Sequence, residues 1–198
     1  MTYKWETLID RCLVYTDASR KALHMFLKEA EVEMTRKVNI LEDSVSWDTK
    51  EDVKILTISN FKEVKSLYVK GDRMSMMTED ELLLDTTNTK HQGTPTKFYI
   101  QTTSSAGSPV YKVILNLKPS TTMAFKMHYW SLATSASTGP IIPGQFQTDL
   151  CYYAIAQVSA KTNPELYQTN LSLWAQSIMS IQNESADRDL IYNIKEEI

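Results

Sequence analysis

Acid–base, nucleophilic and metal chemistry all need histidines, cysteines or carboxylates at spacings that let them converge, and this chain holds three histidines and two cysteines. His24, His91 and His128 stand at neither His-x-x-x-His nor Glu-x-x-His spacing, so a metal site would have to gather ligands from three distant places. They read as surface or half-buried side chains. Cys12 and Cys151 lie far apart, without zinc or redox-pair spacing, and read as small core hydrophobes. The densest acidic cluster, Glu79-Asp80-Glu81, invites a reading as paired carboxylates. Thr78-Glu-Asp-Glu-Leu fits a capped first helical turn better, with acids placed at the positive end of the helix dipole. Lys50, Lys54, Lys62, Lys65, Lys70 and Arg73 give 50–73 a basic lean that Glu51, Asp52, Glu63 and Asp72 largely offset, as on a solvated strand face. There is no nucleophile elbow, phosphate-cradling glycine loop or dinucleotide fingerprint. The sequence therefore predicts no catalytic residue, no cofactor and no metal: a protein that is not an enzyme.

Aromatic and terminal residues suggest contacts instead. Tyr129, Trp130, Tyr152, Tyr153, Tyr167 and Trp174 exceed what one small core needs, and tyrosine and tryptophan are enriched at interfaces. Trp174 sits at helical core spacing. Tyr152 and Tyr153 are adjacent on a helix, so at least one points away from the local seam, and both are interface candidates. Beyond the polar stretch Asn183 to Asp189, the chain resumes with Leu190, Ile191, Ile194 and Ile198. Apolar residues at a free end imply an arm, 185–198, that docks on its own body or on another subunit.

The elements that must position these residues follow from punctuation and period. The first seventy residues contain no glycine or proline, while five of the six prolines lie between Pro95 and Pro143. This predicts helical ends around a turn-rich middle. Trp5, Leu8, Ile9, Cys12 and Leu13 make one apolar stripe. Leu23, Phe26, Leu27, Ala30, Met34 and Val38 make a second, capped by Asp17 or Ser19. Thr148 is expected to open a third helix through Leu150 to Val158. Asn163-Pro164 is expected to open the last, with Tyr167, Leu171, Trp174, Ile178 and Ile181 inward. In between, 41–47, 52–58, 63–70, 97–102, 110–117 and 123–131 alternate as half-buried strands do. Loops 103–109 and 133–145, rich in Ser, Thr, Gly and Pro, are expected to be exposed and mobile. The expected fold class is α+β: a helix bundle built from N-terminal and C-terminal helix pairs, with an inserted antiparallel β-sheet or small barrel. The expected organisation is one domain over 1–184, with helices at 4–38 and 148–184 and a β-rich insertion at 41–131, followed by the arm.

Composition narrows the function classes. The 198 residues suit one domain with an insertion, and 21 basic against 24 acidic residues give a net charge of −3. That balance argues against a polybasic nucleic-acid clamp. No run approaches a membrane span, and the acids at Glu6 and Asp10 interrupt any leader-like stretch, so no membrane partner is expected.

Taken in order, several segments resemble the adaptor proteins of tailed bacteriophages, the ring subunits of the head-to-tail connector below the portal. The matching pieces are Ala30-Glu31 through Arg36-Lys37-Val38, Asn60-Phe61 through Leu67 to Gly71, and Gly93-Thr-Pro95 through Tyr99-Ile100. They continue with Leu115-Asn-Leu117-Lys-Pro119, Phe125-Lys-Met-His-Tyr129-Trp130, and the closing helices with Trp174. Ser59-Asn60 departs from the proline and acid usual before the phenylalanine, and the loop after Tyr99 is longer than typical. The resemblance implies a virion structural protein at the neck of the tail, assembled in the host cytoplasm. It implies self-association into a ring of about twelve copies, a portal protein on one side and a tail or nozzle protein on the other. Genomic DNA would pass through the lumen without sequence-specific binding, which a mildly acidic chain suits. The arm is the expected subunit or portal contact and loops 103–109 and 133–145 the tail side. Two other readings stay open: another phage tail-completion or baseplate protein and, further off, a small cell-wall hydrolase sensitive to Glu79 or His128.

Overall fold

Leu8, Ile9 and Cys12 recur at helical spacing and are all but fully buried together with Trp5, which fixes the inner face of the first helix. The computed structural model describes residues 3–58, 60–85, 91–105, 108–134 and 138–196, without the side chains of 84–85, 104–105, 108–109 and 185–196. In chain order its elements are α1 (Trp5–Leu13), α2 (Arg20–Lys37), β1 (Glu42–Thr49), β2 (Val53–Leu56), β3 (Phe61–Val69), β4 (Asp72–Arg73), β5 (Ser75–Met76) and α3 (Glu79–Asp85). They continue with β6 (Gln92–Gly93), β7 (Lys97–Ser105), β8 (Ser108–Leu115), β9 (Lys118–Pro119), β10 (Met123–Ser131), α4 (Leu150–Ser159) and α5 (Pro164–Glu196). The chain divides into two compact units, 1–41 with 131–198 and 42–130.

In the helical unit, the Ser19 hydroxyl accepts from the Ala22 amide and starts α2. Arg20 then bridges back to Glu6 and Asp10 of α1 at 2.6 and 2.7 Å. Leu23, Leu27, Ala30 and Met34 face a core shared with Leu150, Ala154, Ile155, Trp174, Ile178 and Ile181. The third helix opens later than Thr148 suggested, because a single 3-10 turn, Gln147–Asp149, precedes Leu150. Asn163 does cap α5, its side-chain oxygen accepting from the Leu166 amide at 3.1 Å.

Segment 133–145, expected as an exposed and mobile loop, is in part buried, at Ala133, Pro140 and Ile142 among its described residues. Pro140 and Ile142 are buried, and their stretch of backbone has no strand to pair with, so side chains satisfy it. The buried Glu31 carboxylate accepts the amides of Ile141 and Ile142 at 2.6 and 3.1 Å. The Gln147 amide donates to the Ile142 carbonyl at 2.7 Å, and its oxygen accepts the Tyr3 amide at 2.7 Å. Thr35 accepts the Ala133 amide at 2.9 Å. Residues 135–137 lie outside the described ones.

In the β unit, β1-β10-β3-β4 form one sheet, β2-β8-β7-β5 a second, and β6-β9 a small third. Strict alternation along β10 sends Met123, Phe125, Met127 and Tyr129 inward, where they meet Leu67, Val69, Phe98, Val113 and Leu115. Phe61 anchors this core with ring centroids 4.2 Å from Tyr111 and 5.5 Å from Tyr129. Alternation breaks in β3, where Ser66 and Leu67 are buried in succession. The β3–β4 turn places both Lys70 (φ 53°) and Gly71 (φ 97°) in the left-handed region, as a two-residue hairpin of type I′ requires. Stretch 103–109, expected as a loop, carries strand ends instead. β7 and β8 pair as far as Ser105 opposite Ser108, and only Ala106 and Gly107 between them lie outside the described residues.

The helix-bundle expectation is overturned. Among the described residues, ten strands in three sheets stand against five α-helices. The molecule is a strand-rich mixed α+β protein with its long helices towards the ends of the chain. Nor are the sheets purely antiparallel, since β5 pairs with β7 and β6 with β9 in parallel. The reason is burial: the middle stretch closes a hydrophobic core of its own rather than decorating a bundle.

Candidate functional site

The outward face of the first sheet gathers the most chemistry. Antiparallel pairing sets Glu42 opposite Trp130, Ser44 opposite His128, Ser46 opposite Lys126 and Asp48 opposite Ala124. Period two puts all eight on the face away from the core. Glu42 receives the Lys65 ammonium at 2.7 Å and the His128 Nδ1 at 3.2 Å. Lys65 lies 4.8 Å from the Trp130 ring centre, and Tyr68 meets His128 edge-on at 6.0 Å. A carboxylate on Nδ1 fixes the imidazole's orientation and leaves its other nitrogen for an outside partner.

Beside this cluster runs an open groove of about 590 Å³ bordered by Trp47, Tyr68, Lys70, Lys126 and His128. Trp47 stacks on Phe125 with rings 5.7 Å apart, and its indole N–H is buried with no acceptor. The groove thus offers two ammonium groups, an imidazole and aromatic faces, suited to a ligand or partner rich in acceptors. The ion pairs are partly exposed, so each is worth about 1 kcal/mol or less.

In the helical unit, Tyr153 is occupied within the fold. Its hydroxyl donates to Glu29 at 2.9 Å and its ring meets Trp174 edge-on at 5.4 Å. Burial, then the Glu29 carboxylate, pushes its phenol up to about 12. Tyr152 is half-buried and borders two surface cavities, one of about 460 Å³ with Asp149, Gln176 and Ser177, the other of about 310 Å³ with Arg11, Tyr15 and Cys151. Leu190, Ile191 and Ile194 fall on backbone that stays helical to Glu196; their side chains, and Ile198 entirely, lie outside the described residues.

Large apolar side chains stand in solvent on both units: Val14 (76% exposed), Tyr15, Met25 and Met179 on the helical one, Ile55 and Met76 on the other. The Glu79–Glu81 cluster is the helix cap the sequence predicts. Thr78 accepts the Glu81 amide at 3.2 Å, and the Glu81 carboxylate accepts the Thr78 amide at 2.9 Å. That amide, and then Lys97, hold the Glu81 carboxyl below its ordinary range. Among the described residues no group of three or more His, Cys, Asp or Glu could hold a metal ion, and no helix is long and apolar enough to cross a membrane.

Two associations escape sequence reasoning. Glu42 and His128 meet only because β1 pairs with β10 in one register. Cys12 and Cys151 are brought to one place in the core, the Cys151 thiol donating at 3.7 Å to the carbonyl of Leu8, which lies one helical turn before Cys12. The available signal was that each cysteine lies on the apolar stripe of its helix, which implies burial but not a meeting. No protein-family model matches the chain, and no curated protein matches it.

Proposed function

We propose that this chain is a structural subunit of a tailed-bacteriophage head-to-tail connector, one of about twelve copies in a ring that joins portal to tail components and lets the genome pass. The observation that carries the reading is the number of large apolar side chains left exposed on the helical unit, Val14, Tyr15, Met25 and Met179, which suit contact with other protein chains. The ordered segments from Ala30 to Trp174 supply the choice of assembly; the helix-bundle architecture expected from the periodicity does not hold and lends it nothing. A contact of a few kcal/mol repeated around a closed ring becomes a durable joint through effective concentration. The mildly acidic charge suits a channel along which DNA slides.

Hydrolysis of a glycan, the reading tied to Glu79 or His128, finds less support: Glu79 belongs to the capped first turn of α3, and the His128 Nδ1 is paired with Glu42 at 3.2 Å. The test is assembly: mass photometry and electron-microscopy class averages of the protein mixed with isolated portals. A closed ring seated on the portal is the expected result. A particle of another symmetry moves the protein to tail completion or the baseplate, and a monomer indifferent to portals overturns the proposal.

A further inference from the structure

Cys12 and Cys151 come from α1 and α4, and nothing in the proposed assembly role uses them. Cys12 is fully buried and Cys151 is 4% exposed, but their surroundings differ. Cys151 borders the cavity of about 310 Å³ together with Arg11, Tyr15 and Asn170, whereas Cys12 does not line it. A small oxidant entering that cavity therefore meets Cys151 before Cys12, which lies one helical turn from the Leu8 carbonyl that the Cys151 sulfur contacts at 3.7 Å. A water molecule's share of liquid is about 30 Å³, so the cavity is roomy for a peroxide. The neighbouring Cys12 thiol, and then the Arg11 charge, favour the Cys151 thiolate against the opposing effect of burial, while Cys12 is pushed the other way. Attacking and resolving sulfurs are thus distinguished by position and by environment.

We propose that Cys151 and Cys12 form a site of reversible thiol oxidation, in which a peroxide oxidises Cys151 and Cys12 resolves it into a disulfide joining α1 to α4. In the first step the Cys151 thiolate sulfur attacks one peroxide oxygen and the O–O bond breaks. Sulfenic acid forms, and the second oxygen leaves as water after taking up a proton. In the second step the Cys12 sulfur attacks the sulfenic sulfur, the S–S bond forms, the S–O bond breaks, and the hydroxyl leaves as water with the Cys12 proton. Two thiols lose two hydrogens, and hydrogen peroxide becomes two waters. A small dithiol reverses the change by exchange.

The test uses the full-length protein, reduced, freed of reductant and exposed to hydrogen peroxide. Intact mass spectrometry should show a loss of about 2 Da that dithiothreitol restores. Peptide mapping should join the segment around Cys12 to the segment around Cys151 within one chain. In Cys12→Ser the sulfenic acid on Cys151 should persist and react with dimedone. In Cys151→Ser the oxidation of Cys12 should slow at least tenfold. Two free thiols remaining after treatment, a disulfide between chains, or Cys12 oxidising equally fast without Cys151 would each overturn the proposal. Mapping of the unmutated chain decides the main point even where a variant folds poorly.

Discussion

The two units solve the same problem in opposite ways. Among the described residues, the helical unit buries Glu31, Thr35, Ser131, Gln147, Ser159 and Asn170, whereas the β unit buries Ser66 alone among polar side chains. Strands satisfy their backbone through ladders, so the β unit can fill its interior with methionine, leucine and aromatic rings and leave charge outside. The segment after β10 has no ladder. Its amides and carbonyls are satisfied by Glu31, Thr35 and Gln147, which must therefore go inside with it. Buried polarity here marks where regular structure stops.

Substitutions can break or sharpen this contrast. The largest loss is expected from Phe125→Ala, which opens a cavity in the β core and removes the partner of Trp47. Urea unfolding should show about 3–5 kcal/mol of lost stability. Glu31→Ala should cost about 3 kcal/mol in the same assay, because two amides lose a charged acceptor. Glu31→Gln should recover part of that. A Glu31→Ala protein as stable as the parent would sink the idea that a buried carboxylate holds the segment.

Among the described residues, each unit also contains one tyrosine whose phenol is pushed up to about 12. Burial does this first in both, followed by Asp43 for Tyr129 and by Glu29 for Tyr153. An acid with a raised folded pKa keeps its proton in the folded chain after the unfolded chain has lost its own. Stability is therefore unaffected below about pH 10 and falls between about pH 10 and pH 12. Circular dichroism across that window should show the fall, and Tyr129→Phe with Tyr153→Phe should flatten it.

Caps come next. Asn163→Ala at the start of α5 and Thr78→Ala at the start of α3 should each lower stability by about 1 kcal/mol in thermal melts. The smallest effect belongs to the outer sheet face, where Lys65→Met should change stability by less than about 1 kcal/mol, with the difference fading in high salt. A larger, salt-insensitive loss there would mean that the β unit, too, depends on polar contacts.

Local chemistry was legible in the sequence. The Ser19 and Asn163 caps, the Thr78–Glu81 capping box and the alternation of 123–131 all stand in the structure as the residues imply. What the sequence did not disclose are meetings between distant segments, because period and capping describe one element at a time. Nothing in the sequence around Glu31 announces its function, which depends on Ile141 and Ile142 arriving from more than a hundred residues away. The clean stripes of the terminal helices also outweighed the short strands, which is how a strand-rich molecule read as a bundle. Of the interface candidates, Tyr153 meets Glu29 and Trp174, a contact its spacing could not reveal. Tyr152 keeps a place beside two cavities.

The Ser131 amide donates to the Leu41 carbonyl at 2.8 Å, so the chain leaves the helical unit and re-enters it at neighbouring points. An excursion that begins and ends at one doorstep can be swapped or excised without rethreading what it departs from. A tight turn grafted from Leu41 to Ser131 would close the gap, which makes 42–130 the natural cassette for building chimaeras.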